Sequence, residues 1–378
     1  MTPLLPPHLA EIRAELHRDL LIFAGRACSP VRPLAPEEAE PQFDVLASRV
    51  LAWQRAVVPA YDALAVALGS DTQDWRTAPR VPTALFAELD LCSLPPSSAD
   101  RVFLSSGTTS RGERRGRRRA PDLRLYDAAM AGPFVRHVLR GLPEPVRWVS
   151  LIPHASVLPE SSLSHMVTSL AEALARETFW GLDAGGLDLP GVIDALSEGQ
   201  GLGTAPVVLL ATAFALADLL ERLPRRIRLP KGSRVMVTGG FKGKRKALAS
   251  PELFALVTDK LGIPNEGIVE EYGMTELTSQ AWGRPLEPNP TLRFSVVDPV
   301  TGLEQPTGVE GLVACFDLLN LDNVSSILTS DLGVLDALGR LRLSGRLPGA
   351  VPRGCSLTAE AILGELGASR GPDVDEMD

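Results

Sequence analysis

Hydrophobic positions along the chain fall into two rhythms. Phe43, Leu46, Val50, Trp53, Val57, Tyr61, Leu64 and Leu68 recur at spacings of three and four, and Gly69 follows. That pattern predicts an amphipathic helix with a glycine stop and a candidate break at Pro59. Residues 163–174, 213–223 and 252–261 predict further helices, the second of them capped by Thr212. Short apolar runs at 146–152, 207–211 and 234–237 predict buried strands; Ile268 and Val269 lead into Tyr272, and Arg101–Leu104 enters a Ser/Gly/Thr loop. Strands alternating with helices argue for an α/β fold with mostly parallel sheets. From residue 293 to 343 the pattern changes to short β-like pieces separated by Gly, Asp and Pro, which suggests a small β subdomain. A Pro- and acid-rich stretch, 30–41, reads as a connection between two helical patterns, and no internal repeat is present.

Composition narrows the class. The 378 residues are 45% hydrophobic and 22% charged, which is too apolar for a disordered chain. A formal net charge of −8 argues against a general nucleic-acid binder. Cys28, Cys92, Cys315 and Cys355 stand far apart, so neither a zinc ribbon nor a dithiol motif is supported. Met1 to Pro7 shows no signal-peptide pattern. The most apolar run, 205–217, contains Pro206 and is short of the ~20 residues of a membrane helix, so a cytoplasmic protein is expected.

Four motifs can carry chemistry. Val102-Phe-Leu-Ser-Ser-Gly-Thr-Thr-Ser110 offers hydroxyls and amides around one glycine that can wrap phosphate oxygens, although the Walker spacing is absent. Glu270-Glu-Tyr-Gly-Met-Thr-Glu276 offers an aromatic ring, a hydroxyl and a carboxylate; its bland reading is a strand-to-helix turn opened by Thr275 and Glu276. Val237-Thr-Gly-Gly-Phe-Lys242 permits close approach of a ligand, or is a β-turn. Thr329-Ser-Asp-Leu-Gly333 holds an aspartate able to accept two ribose hydroxyls, or is an Asx-turn.

In this order and spacing, with Gly345-Arg346 after them, the motifs resemble the adenylate-forming superfamily of acyl-CoA synthetases, peptide-synthetase adenylation domains and luciferases. Within it the chain most resembles the acyl-protein synthetases. The finer signs are Trp53-Gln54 with Pro59-Ala-Tyr61, Ser161-Ser-Leu-Ser-His-Met166, Ala211-Thr-Ala-Phe214, Thr238-Gly-Gly-Phe-Lys242 and Pro352-Arg-Gly-Cys-Ser356, between about residues 40 and 358. The resemblance implies two parallel-sheet subdomains flanked by helices, a small β subdomain and a truncated C-terminal piece. It also implies ATP and Mg²⁺ as cofactors and a fatty or aryl carboxylic acid as substrate. Ser105, Ser106, Gly107, Thr108 and Thr109 would hold phosphates, and Gly239, Gly240 and Phe241 would line the adenine and acyl pocket. Tyr272, followed by Gly273 and Met274, would stack on adenine; Thr275 would touch the phosphate at the reacting carboxylate, and Glu276 would ligate Mg²⁺. Asp331 would bind ribose and Arg346 would reach the nucleotide from the domain edge.

Two departures qualify the match. Ser110 stands where the superfamily's loop has glycine, and 111–119 holds six arginines in nine residues, read as a solvated loop from which one or two swing onto phosphate. After Arg346 there are 32 residues without a lysine, so the role of the superfamily's late lysine is absent or moved; Lys242, Lys244 and the arginine loop are candidates, against Lys242 and Lys244 as surface charges. His154 and His165 either line the acyl pocket or are satisfied structural histidines. Cys355, beside Arg353, either accepts the acyl group as a thioester, as the resemblance implies, or fills a turn. The chain is thus expected to divide into 1–42, a helical extension and linker; 43–343, the adenylate-forming core; and 344–378, a C-terminal segment with an acidic tail. The expected activity is ATP-dependent activation of an acid to an acyl-adenylate. The acyl group would pass to a thiol and on to a partner such as a reductase. The alternatives are direct transfer to an amine, CoA or a reductase, and a non-catalytic nucleotide- or acid-binding protein.

Overall fold

The computed structural model describes residues 5–70, 74–105, 115–143, 146–198, 205–239 and 250–347. The apolar runs become the centre of a seven-stranded sheet. Its order is β12 (Glu287–Pro288), β11 (Ala281–Trp282), β10 (Ile268–Tyr272), β9 (Arg234–Thr238), β8 (Val207–Thr212), β4 (Val146–Ser150) and β5 (Ala175–Trp180). The five strands from β10 to β5 are parallel and β11 and β12 antiparallel. Parallel strands are covered on both faces, and so read as continuous apolar runs rather than alternating ones. One face packs on α7 (Leu189–Ser197), α8 (Ala213–Arg222) and α9 (Ser250–Leu261). The other packs on α5 (Arg124–Phe134) and α6 (Ser162–Leu174). Thr212 Oγ1 caps α8 by accepting from the Ala215 N–H at 3.2 Å, as its position predicts.

A second sheet of five strands contains β1 (Val81–Pro82), β15 (Ser326–Leu335), β14 (Gly311–Asp317) and β13 (Leu292–Val297) in that order, with β16 (Leu341–Arg346) also on β15. All its pairings are antiparallel except β1 with β15. The α/β class with a parallel sheet flanked by helices is therefore as expected, and among the described residues every parallel pairing except β1 with β15 lies in the seven-stranded sheet. The connections 318–325 and 336–340 are shorter than a parallel crossover needs, so β14, β15 and β16 pair antiparallel. Helices α1 (Pro7–Ala27), α2 (Pro36–Val57), α3 (Pro59–Ala67) and α4 (Leu85–Glu88) share one apolar cluster with this sheet. The break at Pro59 is real: Val58 is extended, at φ −116° and ψ 89°, because a residue before proline is driven out of the helical region. The stretch 30–41 is not all connection. Pro36 starts α2 at a first-turn position that needs no N–H donor, and Pro41 lies inside the helix.

Two hairpins complete the fold: β2 (Arg101–Leu104) with β3 (Arg117–Ala120), and β6 (Leu182–Asp183) with β7 (Gly186–Leu187). Among the described residues no helix is long and apolar enough to cross a membrane.

Candidate active site

The Ser/Gly/Thr motif at 102–110 begins on β2 of the hairpin β2/β3. Ser106, Gly107, Thr108 and Thr109 lie outside the described residues, but Ser105 at the stem does not. The Ser105 N–H donates to the Gly116 carbonyl at 2.8 Å, and the Gly116 N–H donates to Ser105 Oγ at 2.9 Å. A Cβ on Gly116 would lie 3.2 Å from Glu276 Oε1 and 3.3 Å from Ser105 Oγ. The bare glycine thus brings the hairpin stem against the candidate metal carboxylate.

The arginine run is not a solvated loop throughout. Residues 117–120 form β3, and Arg118 points inward and is buried. Its Nη2 donates to Thr278 Oγ1 and, at 3.2 Å, to Asn320 Oδ1, while Asn320 Nδ2 donates to the Glu276 carbonyl at 2.8 Å. Burial lowers the pKa of Arg118, and the nearby Asp317 carboxylate opposes that shift. Asp317 is itself buried and accepts from the Thr278 N–H at 2.6 Å, the Ser279 N–H at 2.7 Å and Ser279 Oγ at 2.8 Å. Gln54, one of the finer signs in the sequence, joins this network by donating to the Asn320 carbonyl at 2.8 Å. The segment holding Glu276 is thus pinned from both sides. No helix follows it: β10 turns through residues 273–280 into antiparallel β11. The Asp317 side chain occupies the N–H groups of Thr278 and Ser279 that a helix start would present.

Tyr272 ends β10 at the carboxyl edge of the parallel sheet, the edge where open α/β sheets form their ligand crevices. Its hydroxyl donates to Asp331 Oδ2 at 2.9 Å. Asp331 pairs in register with Arg346, whose Nε is 3.5 Å from Asp331 Oδ1. The motif around Asp331 is therefore not a turn but the middle of β15, with a register shift at Leu332/Gly333. Burial, and then the neighbouring Cys315 and Asp331, hold the Tyr272 hydroxyl well above the usual tyrosine range. The Phe294 ring stands edge-on to Tyr272, with centroids 5.9 Å apart. Gly239 follows β9 at φ +71°, a left-handed conformation suited to glycine; Gly240, Phe241 and Lys242 lie outside the described residues, as does Cys355. Met274 packs against the core and Thr275 is half-buried on the turn.

Glu271 went unremarked in the sequence. It is buried at the end of β10, where Thr238 Oγ1 donates to its Oε2. Burial pushes its carboxyl up to about 7, and the Thr238 hydrogen bond only partly opposes the shift. Strand register sets Thr212, Thr238 and Glu271 side by side across β8, β9 and β10. They lie on the face covered by α5 and α6, the face that Leu210, Met236 and Val269 share.

The two histidines part company. His165 on α6 shares this face: its Nε2 is 2.9 Å from Asp127 Oδ1, and its ring lies 5.3 Å from Tyr126 and 5.8 Å from Phe103. His154 follows β4, its Nδ1 2.8 Å from Ser156 Oγ and its ring 4.9 Å from Trp180. Three strand spacings, roughly 14 Å, separate β4 from β10, so His154 is not beside Tyr272 and Asp331. The residues brought together are Ser105 with Glu276, and Tyr272 with Asp331 and Arg346.

No family model and no curated protein matches the chain. Solved structures do. ATP-bound MatB from Rhodopseudomonas palustris matches at a TM-score of 0.48 and 15% identity, over 74% of this chain and 51% of that one. The amide bond synthetase McbA from Marinactinospora thermotolerans matches at 0.47 and 20%, over 67% and 50%. The O-succinylbenzoate coenzyme A synthetase MenE from Bacillus subtilis, in complex with AMP, matches at 0.42 and 19%, over 65% and 49%. This chain spans about half the length of each of these proteins.

Proposed function

We propose that the chain is an adenylate-forming enzyme, resembling the acyl-protein synthetases, that activates a carboxylic acid with ATP and Mg²⁺. A carboxylate oxygen attacks the α-phosphorus, a new P–O bond forms, and the bond to the β-phosphate breaks as pyrophosphate leaves with its electron pair. The observation that supports this reading best is that motifs far apart in sequence meet. Glu276 lies against the stem of the phosphate hairpin, and the Tyr272–Asp331–Arg346 cluster lies a short turn away. Catalysis of this kind is chiefly positioning and charge stabilisation.

Mg²⁺ commonly takes one or two protein carboxylates plus substrate phosphates. Glu276, set against the bare face of Gly116, fits that donor set; the ion would neutralise phosphate charge. Asp331 would accept the ribose hydroxyls, Tyr272 would flank the base and Arg346 would close over the nucleotide. Ser105 to Thr109 would hold phosphate oxygens, with Gly239, Gly240 and Phe241 beside the ligand, Thr275 at the reacting carboxylate and Lys242 as the candidate cation. His165 would line the acyl side. In this reading residues 43–343 form the catalytic core of a cytoplasmic enzyme, flanked by a helical extension at 1–42 and a C-terminal segment at 344–378. The acyl group then passes from the adenylate to the Cys355 thiol, with loss of AMP, and on to an acceptor such as a reductase.

Pyrophosphate release from ATP, Mg²⁺ and a panel of fatty and aryl acids tests the first half. Label from the acid, retained on the protein and removed by neutral hydroxylamine, tests the second. Cys355→Ser should abolish that label and leave pyrophosphate release intact. Failure of every acid in protein that binds ATP would leave a nucleotide-binding protein without this activity.

A further inference from the structure

A buried cation joins the β2/β3 hairpin to the segment that carries Glu276. Arg118 is only 4% exposed, and two of its donor atoms, Nε and Nη1, meet no acceptor among the described residues. Asp317 opposes its loss of charge from a distance, and spends its own hydrogen bonds on the N–H groups of Thr278 and Ser279. A buried charge is costly unless it is paired and fully hydrogen-bonded, and an apolar side chain of similar volume in its place is often neutral or stabilising. Stability alone therefore does not account for an arginine here. What Arg118 does hold is the chain around Glu276. Its Nη2 donates to Thr278 Oγ1 and to Asn320 Oδ1. Thr278 Oγ1 donates to Asn320 Oδ1 at 2.6 Å, and Asn320 Nδ2 donates to the carbonyls of Glu276, at 2.8 Å, and Val324, at 3.1 Å. The same strand meets Glu276 a second time, because the bare face of Gly116, two residues before Arg118, lies against Glu276 Oε1. Across the hairpin Arg118 pairs with Phe103, two residues before Ser105. The hairpin thus bears on Glu276 both at its main chain and at its carboxylate.

We infer that Arg118 is a positioning residue of the candidate metal site: through Thr278 and Asn320 it holds the Glu276 carboxylate in a fixed place relative to the hairpin, so that one ion can meet both. This rests on the proposed role of Glu276, and Arg118 acts through that residue rather than on a substrate. The chemistry of the ion makes such placement matter. Mg²⁺ demands near-octahedral geometry at about 2.0–2.1 Å, whereas Ca²⁺ accepts ligands at about 2.3–2.6 Å in flexible arrangements. A carboxylate set loose by loss of Arg118 is therefore a larger handicap for Mg²⁺ than for Ca²⁺.

Calorimetric titration with a non-hydrolysable ATP analogue, without metal and then with Mg²⁺ or Ca²⁺, reads this apart from turnover. In Arg118→Met the metal-free affinity should stay within about threefold of wild type, the gain in affinity on adding Mg²⁺ should fall by about tenfold or more, and the gain with Ca²⁺ should fall less. Thr278→Val removes the relaying hydroxyl and leaves the arginine in place, so it should reproduce the loss and carries the test should Arg118→Met not fold. Combining the two should add little, since they act in one chain of contacts. In pyrophosphate release either variant should need about tenfold more Mg²⁺ for half-maximal rate, while kcat at saturating Mg²⁺ falls far less. Gly132→Ala, destabilised at a distant contact, should keep the Mg²⁺ gain of the wild type. A Mg²⁺ gain within about threefold of wild type in folded Arg118→Met or Thr278→Val overturns the inference, as does an equal loss of affinity with and without metal. A wild type that binds the analogue no better with Mg²⁺ overturns the metal role of Glu276 and this inference with it. Failure of every acid to release pyrophosphate, with a Mg²⁺ gain that the variants lose, sinks adenylation and leaves the positioning role standing.

Discussion

Replacing Asp331 by alanine separates a nucleotide contact from a strand residue. The substitution removes the acceptor of the Tyr272 hydroxyl, 2.9 Å away, and the partner of Arg346, 3.5 Å away. Arg346 is half exposed, so that pair contributes little to stability. The buried hydroxyl is the larger concern, since a buried donor left unmet costs about 1–3 kcal/mol. The Thr329 side chain also hydrogen-bonds Tyr272, so the loss falls near the lower end, about 1 kcal/mol. At roughly 2 cal/mol/K of unfolding entropy per residue, a chain of this length should melt only about 1–2 °C lower. Nucleotide binding should respond far more. A charge-assisted hydrogen bond to a ribose hydroxyl contributes roughly 1.5–3 kcal/mol, so ATP affinity should fall by about tenfold or more. Calorimetric titration with a non-hydrolysable ATP analogue, beside a thermal melt, reads both numbers on one preparation. Tyr272→Phe is the control: it frees Asp331 without removing it, so affinity should stay within about threefold. An Asp331→Ala protein that melts normally and binds ATP within twofold of wild type would refute the ribose assignment and leave Asp331 as an anchor for Tyr272.

Glu276→Gln should slow pyrophosphate release by orders of magnitude with little change in melting temperature, and the loss should not be recovered by raising Mg²⁺; an unchanged rate in folded protein sinks the metal assignment. Glu271 holds its proton to about 7 in the fold against an ordinary 4.5, so the native state binds more protons between those values and stability falls as pH rises through them. Among the described residues the groups that face it are the hydroxyls of Thr238 and Tyr126 and the Gln280 amide, so Glu271→Gln should flatten this slope and gain on the order of 3 kcal/mol relative to wild type at pH 8, read by denaturant melts across pH. A Cβ on Gly132 of α5 would lie 1.4 Å from the Cys28 carbonyl oxygen, so Gly132→Ala should cost about 4 kcal/mol or more, roughly 5 °C, whereas Gly25→Ala on the open face of α1 should gain about 0.5–1 kcal/mol; equal melting temperatures for the two would contradict the packing of α5 on α1.

The elements legible in the sequence are those whose signal is local. Runs such as 207–212 are buried on both faces and announce themselves as apolar, and Thr212 and Pro59 mark boundaries by their own stereochemistry. What stayed hidden depends on partners distant in sequence. Ser330, Asp331 and Gly333 have the composition of a turn, yet β14 on one side and β16 on the other hold them extended, and pairing overrides local preference. Arg117, Arg118 and Arg119 are indistinguishable as a run. Only the period of two in β3, and acceptors at Thr278 and Asn320, put the middle one inside. Glu270 and Glu271 are likewise equivalent on paper; the parallel register with β9 turns the second toward Thr238 and leaves the first half-exposed.

The buried carboxyls themselves show which one is structural. Asp317 and Glu271 are both enclosed, and burial raises both. Asp317 is met by the N–H groups of Thr278, Ser279 and Leu319 and by the Ser279 hydroxyl, with the Arg118 charge nearby. Every oxygen is answered from within the chain, and the result is a rigid turn that presents Glu276 to the hairpin. Among the described residues Glu271 receives the Thr238 hydroxyl, and no described cation bears on it. Its Oε1 lies 2.5 Å from the point a Cβ on Gly273 would occupy, so a side chain there would collide with it. Replacing such a carboxyl by an apolar side chain of similar volume is often stabilising, so stability alone does not account for glutamate at this position.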